Sequence, residues 1–346
     1  MTPIPRRILI ARTDRIGDVV LSTPVIRFLR KKYPEAFIAF MLRPYTADIV
    51  RNDPNLNDVV IYDKDKEQKS FFSTIRFALK LRKYRFDMAI ALHPNFRTHI
   101  IFFMAGIPVR IGYDKKCGWL LTQKIPHKKQ EGDRHESEYN FDLLSGAGID
   151  VSGADMKPYL YRSRENGLMV DKILKESGVS ASMIAVHAGA SCPSKRWPAE
   201  RFREVCELLI KKTGSDIVLI GGPDAVRYSD IITESGNARI FDLTDTLRLG
   251  EVTELLSRAK VLISNDSGPV HIAAAVNTPV VSIFGRKSPG LSPKRWGPVG
   301  EKNIILHKDV GCVKCLAHEC EKNFQCLLAI SADDVVSATE RLISEL

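Results

Sequence analysis

Short apolar runs alternate with amphipathic stretches along this chain, and the alternation starts twice. Runs at residues 8–12, 37–42, 59–62, 88–92 and 109–112 read as strands, and between them 18–33, 45–51, 71–84 and 97–104 carry helical periodicity. The rhythm resumes with strands expected at 183–187, 216–220, 261–264 and 280–284 and helices at 199–212, 249–259 and 269–276, before a last helical pattern at 332–346. Consecutive strands separated by helices can pair in parallel only through crossovers, so this order dictates mainly parallel sheets covered by helices on both faces. Two such series in 346 residues, against a usual domain of about 100 to 200 residues, imply an α/β chain of two doubly wound domains facing across a cleft. Residues 115–134 break the rhythm and read as a surface loop or insertion, a helical stretch follows near 135–144, and glycines at 146, 148 and 153 with Pro158 place the boundary at about 150–170. We take the domains as 1–165 and 166–330, with a terminal helix at 331–346.

The hydrophobic share of 44% and charged share of 27% are those of a globular chain. No apolar run approaches the roughly 18 residues that span a bilayer, and residues 8–11 are too short for a signal-peptide core, so a cytoplasmic location is expected. The net charge of +10 is one-sided: residues 1–165 hold 29 Lys and Arg against 19 Asp and Glu, and residues 166–346 hold 22 of each. The first half therefore faces something anionic, whether a phosphorylated substrate, an acidic membrane surface or nucleic acid, although runs such as 27–32 and 80–85 also fit solvated helix faces. Of seven cysteines, four form the cluster Cys312-x2-Cys315-x4-Cys320-x5-Cys326. Four thiolates this close could hold zinc or an iron–sulfur group, but the spacing lacks the paired CxxC form, and no metal is assigned.

Three strand-to-helix loops carry the chemistry. The first, Arg12-Thr13-Asp14-Arg15-Ile16-Gly17-Asp18, lacks the G-x-G-x-x-G that brings backbone against a pyrophosphate, which argues against a dinucleotide here. It offers instead Asp18 in a first helical turn, where the helix dipole favours the ionised carboxylate; such a group either caps the helix or accepts a proton from an attacking hydroxyl. The second loop runs from His187-Ala188-Gly189 through Ser191, Cys192, Ser194, Lys195 and Arg196 to Trp197-Pro198. Its small residues, hydroxyls and adjacent cations suit a phosphate-bearing ligand, with Lys195 as the phosphate contact and Trp197 as a core residue. The third, Ser264-Asn265-Asp266-Ser267-Gly268-Pro269-Val270-His271, places a glycine and a helix-starting proline at a strand end. Asp266 is expected to bond sugar hydroxyls, Ser267 and Gly268 to donate to phosphate, and His271 to lie beside the same ligand. Gly221-Gly222-Pro223-Asp224 ends another strand and is expected to border the nucleoside.

Asp63-Lys64-Asp65 has the form of a metal-binding D-x-D but sits among lysines and reads as a solvated turn. HExxH, G-x-S-x-G, Walker and EF-hand patterns do not occur. A nicotinamide oxidoreductase would share the sheet pattern but needs the missing glycines, and a nucleic-acid module would explain the charge but shows no RNP, finger or basic-helix pattern.

Together, Arg12-x-Asp14-Arg15-Ile16-Gly17-Asp18 with Ser22-Thr23-Pro24, His187-Ala188-Gly189 to Ser194-Lys195-Arg196-Trp197-Pro198, and Ser264 to Ala274 with Pro279 to Gly285, in this order from about residue 6, resemble glycosyltransferase family 9, the lipopolysaccharide heptosyltransferases. The resemblance implies a GT-B fold of two Rossmann-like domains, the acceptor on the first and ADP-heptose on the second, with the last helix returning to the first. It implies inverting, metal-independent transfer of heptose to the lipopolysaccharide inner core by a monomer in peripheral contact with the cytoplasmic face of the inner membrane, with no cofactor and no nucleic-acid partner. By position, Asp18 matches the general base; Ser191, Ser194, Lys195, Asp224, Asp266, Ser267, Gly268 and His271 match donor contacts; and Arg15, His93 and Arg97 are the expected acceptor contacts. Another nucleotide-sugar as donor, or a non-catalytic sugar-nucleotide binder, are the alternatives.

Overall fold

The computed structural model describes residues 4–312, 315 and 318–345. The chain forms two units, the first ending at Tyr161 and the second beginning at Arg162. In the first, β1 (Arg7–Ala11), β2 (Phe37–Leu42), β3 (Asp58–Ile61), β4 (Met88–Ala91), β5 (Val109–Tyr113) and β6 (Gln123–Ile125) make one parallel sheet in the order β3-β2-β1-β4-β5-β6. Its helices are α1 (Ile16–Val20), α2 (Thr23–Lys32), α3 (Phe71–Leu81), α4 (Phe96–Met104) and α5 (Glu136–Gly146). The central strands are continuous rather than alternating in polarity because both faces are covered: Ile8, Leu9 and Ile10 are all fully buried. One face packs Leu9, Ala39 and Met41 against Ala78 and Leu81 of α3 and Ile101 and Phe102 of α4.

In the second unit, β7 (Met183–His187), β8 (Asp216–Leu219), β9 (Ile240–Asp242), β10 (Leu262–Asn265), β11 (Val280–Ile283) and β12 (Asn303–Leu306) pair in parallel in the order β12-β11-β10-β7-β8-β9. The helices are α6 (Arg164–Ser177), α7 (Ala199–Thr213), α8 (Val226–Thr233), α9 (Leu249–Leu256), α10 (Gly268–Ala275), the single turns α11 (Pro293–Trp296) and α12 (Gln325–Leu328), and α13 (Ala332–Ser344). Counted from its own first strand, each sheet has the order 3-2-1-4-5-6. Crossovers leave in opposite directions from β1 and β4, and likewise from β7 and β10, so the loops at the carboxyl ends of those pairs part and open a crevice.

Three readings are corrected. The helix expected at 18–33 is two, because Pro24 has no N–H to continue the helical ladder and instead takes the permissive second position of α2. Residues 115–134 are not merely a surface loop: β6 pairs with β5, and Lys129 is 1% exposed. The terminal helix, expected against the first unit, packs within the second. Val335, Val336 and Leu342 of α13 are buried with Phe202, Val205 and Leu209 of α7 and Ile283 of β11, so its apolar stripe is used within the second unit's own core. The short elements β9, β12 and α8 also went unread, having too few residues for a clear period, and so did the 14-residue α6, in which Val170 is the one buried residue.

Candidate functional site

At the β1/β4 crevice of the first unit, the chain leaving β1 turns at once into α1 and brings Asp14, Arg15 and Asp18 together. Asp18 caps this helix, its Oδ2 accepting the Arg15 backbone N–H at 3.3 Å, while its Oδ1 accepts Arg12 Nη2 at 2.5 Å. Asp18 thus caps the helix while its side chain keeps 16% of its surface exposed. Arg12 is the hub beneath. Its Nε lies 2.9 Å from Asp14 Oδ2 and its Nη2 3.0 Å from Glu136 Oε1, and Glu136, at the start of α5, also holds Lys129 Nζ at 2.5 Å. Arg12, Lys129 and Glu136 are all nearly or wholly buried. Burial alone would lower the Arg12 pKa, but the charges of Asp18, Glu136 and Asp14 outweigh it and hold the guanidinium above its ordinary value. Burial raises Asp14 to about 6 against the pull of Arg12. His93, on the loop after β4, has Nδ1 3.4 Å from Asp14 Oδ2, and desolvation with the charge of Arg12 holds it neutral, well below its usual range. Removing Glu136 would take from buried Lys129 its carboxylate partner and from Arg12 one of three, an expensive change that explains why the trio occurs as a unit.

At the β7/β10 crevice of the second unit, Lys195 Nζ lies 2.8 Å from Asp266 Oδ2, and Arg286 Nη2, from the loop after β11, reaches the same oxygen at 3.3 Å. Arg286 is 8% exposed, and its Nε has no hydrogen-bond partner among the described residues. A buried donor of this kind calls for an acceptor, and two cations sharing one carboxylate leave net positive charge for an anionic ligand. Ser267 precedes the first turn of α10 without capping it through its side chain, and its Oγ meets His187 Nδ1 at 3.0 Å and Ser264 Oγ at 3.0 Å. Burial lowers His187 to about 4, with the charge of Asp224 opposing, so the ring is neutral near pH 7. Asn265 fastens the two loops, accepting the Trp197 N–H at 3.1 Å and donating to Ala188 O at 2.8 Å. Gly285 is required here, because a Cβ would stand 2.4 Å from Ser194 O.

Of the residues read from the sequence, Lys195, Asp266 and Ser267 converge, Gly268 opens α10, His271 is buried within α10, and Ser194 is buried behind Lys195 while Ser191 is exposed. Asp224 is close enough to His187 to act on its titration. In the first unit Asp18, Arg15 and His93 gather around Asp14. Arg97 instead donates to the carbonyls of Gln68 and Lys69, at 3.1 and 2.8 Å, and holds that loop. Asp63 Oδ1 accepts the amides of Asp65 and Lys66, forming a turn. Trp197 is wholly buried and donates from Nε1 to Ile330 O.

The sequence reading assigns no role to Arg286, Lys129 and Glu136, and takes Arg12 and His187 only as parts of their loops. Arg286 was within reach, since it follows a strand of the same sheet just as Asp266 does. The four clustered cysteines line one cavity of about 380 Å³ with Ser194, Gly285 and Lys287. Among the described residues no group of three or more His, Cys, Asp or Glu is gathered to hold a metal ion.

The model of glycosyltransferase family 9 (heptosyltransferase) matches residues 74–325. Lipopolysaccharide heptosyltransferase 3 of Escherichia coli K12 is 28% identical over 339 residues, covering 95% of this chain and 96% of the relative. Lipopolysaccharide heptosyltransferase 2 of the same strain is 25% identical over 347 residues, covering 97% and 98%. Among solved structures, a family 9 glycosyl transferase from Veillonella parvula superposes with a TM-score of 0.87 at 24% identity, covering 99% and 98%. The E. coli ADP-heptose lipopolysaccharide heptosyltransferase II gives 0.81 at 23%, covering 98% and 99%.

Proposed function

The chain belongs to glycosyltransferase family 9, and from that premise we propose that it moves heptose from ADP-heptose to the inner core of lipopolysaccharide, with inversion and without a metal ion. The observation that carries the donor half is the half-buried Lys195 and buried Arg286 on a single carboxylate, with one guanidinium N–H left for an acceptor. On this reading the two cations and the first amides of α10 take up the charge of the diphosphate as it departs, which is the part a divalent ion would otherwise play. Asp266 and Ser267 bond hydroxyls of the sugar, and the loop at Asp224 borders the nucleoside. Asp18 removes the proton from the acceptor hydroxyl, whose oxygen attacks the anomeric carbon from the side opposite the leaving ADP, so the configuration inverts. Arg12 keeps the carboxylate oriented, and Arg15 and His93 contribute to holding the phosphorylated acceptor. The enzyme acts as a monomer at the cytoplasmic face of the inner membrane, where that lipid acceptor is presented.

Calorimetric titration of ADP into Lys195→Ala and Arg286→Ala tests the donor half. Loss of a charge-assisted contact is expected to weaken ADP binding about tenfold or more in each variant. Unchanged affinity in both would remove these residues from the diphosphate. Parallel titration with UDP-sugars and GDP-sugars is expected to give no comparable heat.

A further inference from the structure

We propose that the outer face of α3, α4 and the turn Gly118–Leu120 is a membrane-docking surface for an anionic lipid bilayer. Every exposed Phe and Trp among the described residues lies here: Phe71, Phe72, Phe96, Phe103 and Trp119, with Leu79 beside them. Phe72 is 83% and Trp119 74% exposed, a costly display of aromatic surface. These elements are neighbours, since α3 packs along α4, α4 packs on the 118–120 turn, and His99 Nδ1 meets Lys116 O at 3.0 Å. The same stretch carries the charge. Residues 64–128 hold 14 Lys and Arg against 4 Asp and Glu, an excess equal to the whole chain's +10, so everything outside it is neutral in sum. Arg76, Lys80, Lys115 and Lys116 are exposed among the rings.

Aromatic side chains standing among lysines and arginines match a bilayer surface, where rings enter the headgroup boundary and cations meet anionic phosphates. Nucleic acid is the weaker fit: stacking proteins align rings along a groove that tracks the backbone, whereas these project from helix faces and a single turn. Placement supports the same occupant. Phe71 and Phe72 open α3 and Phe96 opens α4, so they sit at the carboxyl edge of the sheet, the edge that carries Asp14, Asp18 and His93. A lipid-anchored acceptor would then be presented to Asp18 from the surface on which the unit rests. This last step relies on the heptosyl-transfer reading; lipid binding itself does not.

Co-sedimentation of the full-length protein with phosphatidylcholine vesicles, with and without phosphatidylglycerol, tests the surface. Phe72→Ser with Trp119→Ser, and Lys80→Glu with Lys83→Glu, are compared with wild type after melting curves establish that each is folded. Wild type is expected to sediment with phosphatidylglycerol vesicles and to be released by salt. Each double variant is expected to partition about tenfold less, with transfer to a deacylated, water-soluble acceptor unchanged. Equal partitioning of all three proteins would overturn the proposal. So would displacement from vesicles by duplex DNA together with undiminished binding of the aromatic variant, which would point to nucleic acid. Normal lipid binding by a wild type that transfers heptose to neither acceptor would sink the transfer reading while leaving the surface standing.

Discussion

Arg12 illustrates what single residues do in this chain: a nearly buried guanidinium is tolerable only because Asp14, Asp18 and Glu136 surround it, and that surround is what orients Asp18. Asp18, Lys195, Asp266 and Ser267 were legible in the sequence because each follows a recognisable strand, where backbone geometry alone exposes a side chain at the crevice. Glu136 and Lys129 were not, since their partners are distant in sequence and nothing in local periodicity marks a buried ion pair. His187 likewise becomes informative only when the sheet brings it against Ser264 and Ser267. Its folded pKa of about 4 lies below the usual 6.5, so the unfolded chain protonates first as pH falls. The stability it contributes is complete above about pH 6.5 and is lost as pH drops toward 4, amounting to about 2 kcal/mol between pH 7 and 5. Asp14, raised rather than lowered, works in the opposite sense over part of this range. We therefore expect the melting temperature of wild type to fall more between pH 7 and 5 than that of His187→Gln. Equal slopes would show that His187 is not held neutral by the fold.

Among the elements, long apolar strands were the clearest to read: residues 37–42 and 183–187 coincide with β2 and β7. Boundaries failed where a single residue overrides the period, as Pro24 does in dividing α1 from α2. They failed too where an element is too short to have one, as with β6, β9 and β12. The destination of α13 was beyond periodicity altogether, because an apolar stripe specifies that a face is buried but not against what. Its contacts supply the prediction at this scale. Leu342 is 4% exposed within the second unit's core, so Leu342→Ala is expected to cost about 2 to 5 kcal/mol and to lower the melting temperature by several degrees. A helix merely resting on the surface would lose less than about 1 kcal/mol, and chemical denaturation monitored by circular dichroism distinguishes the two.

For the molecule as a whole, division of labour is written in the distribution of charge. The near-neutral second unit sets Lys195 and Arg286 on one carboxylate at its crevice, while the first carries a basic, aromatic flank, as expected if a soluble nucleotide-sugar and an anionic lipid are handled by different units of one chain. The two-unit α/β architecture was readable from alternation alone, and the family followed from three loops in the right order. The most direct measurement is mass spectrometry of heptose-deficient lipopolysaccharide after incubation with ADP-heptose and either wild type or Asp18→Asn. The account predicts a product heavier by one heptose with wild type and at least a hundredfold slower formation with the isosteric variant, the usual scale for losing a general base. No mass gain with wild type, or equal rates from the two proteins, would contradict it.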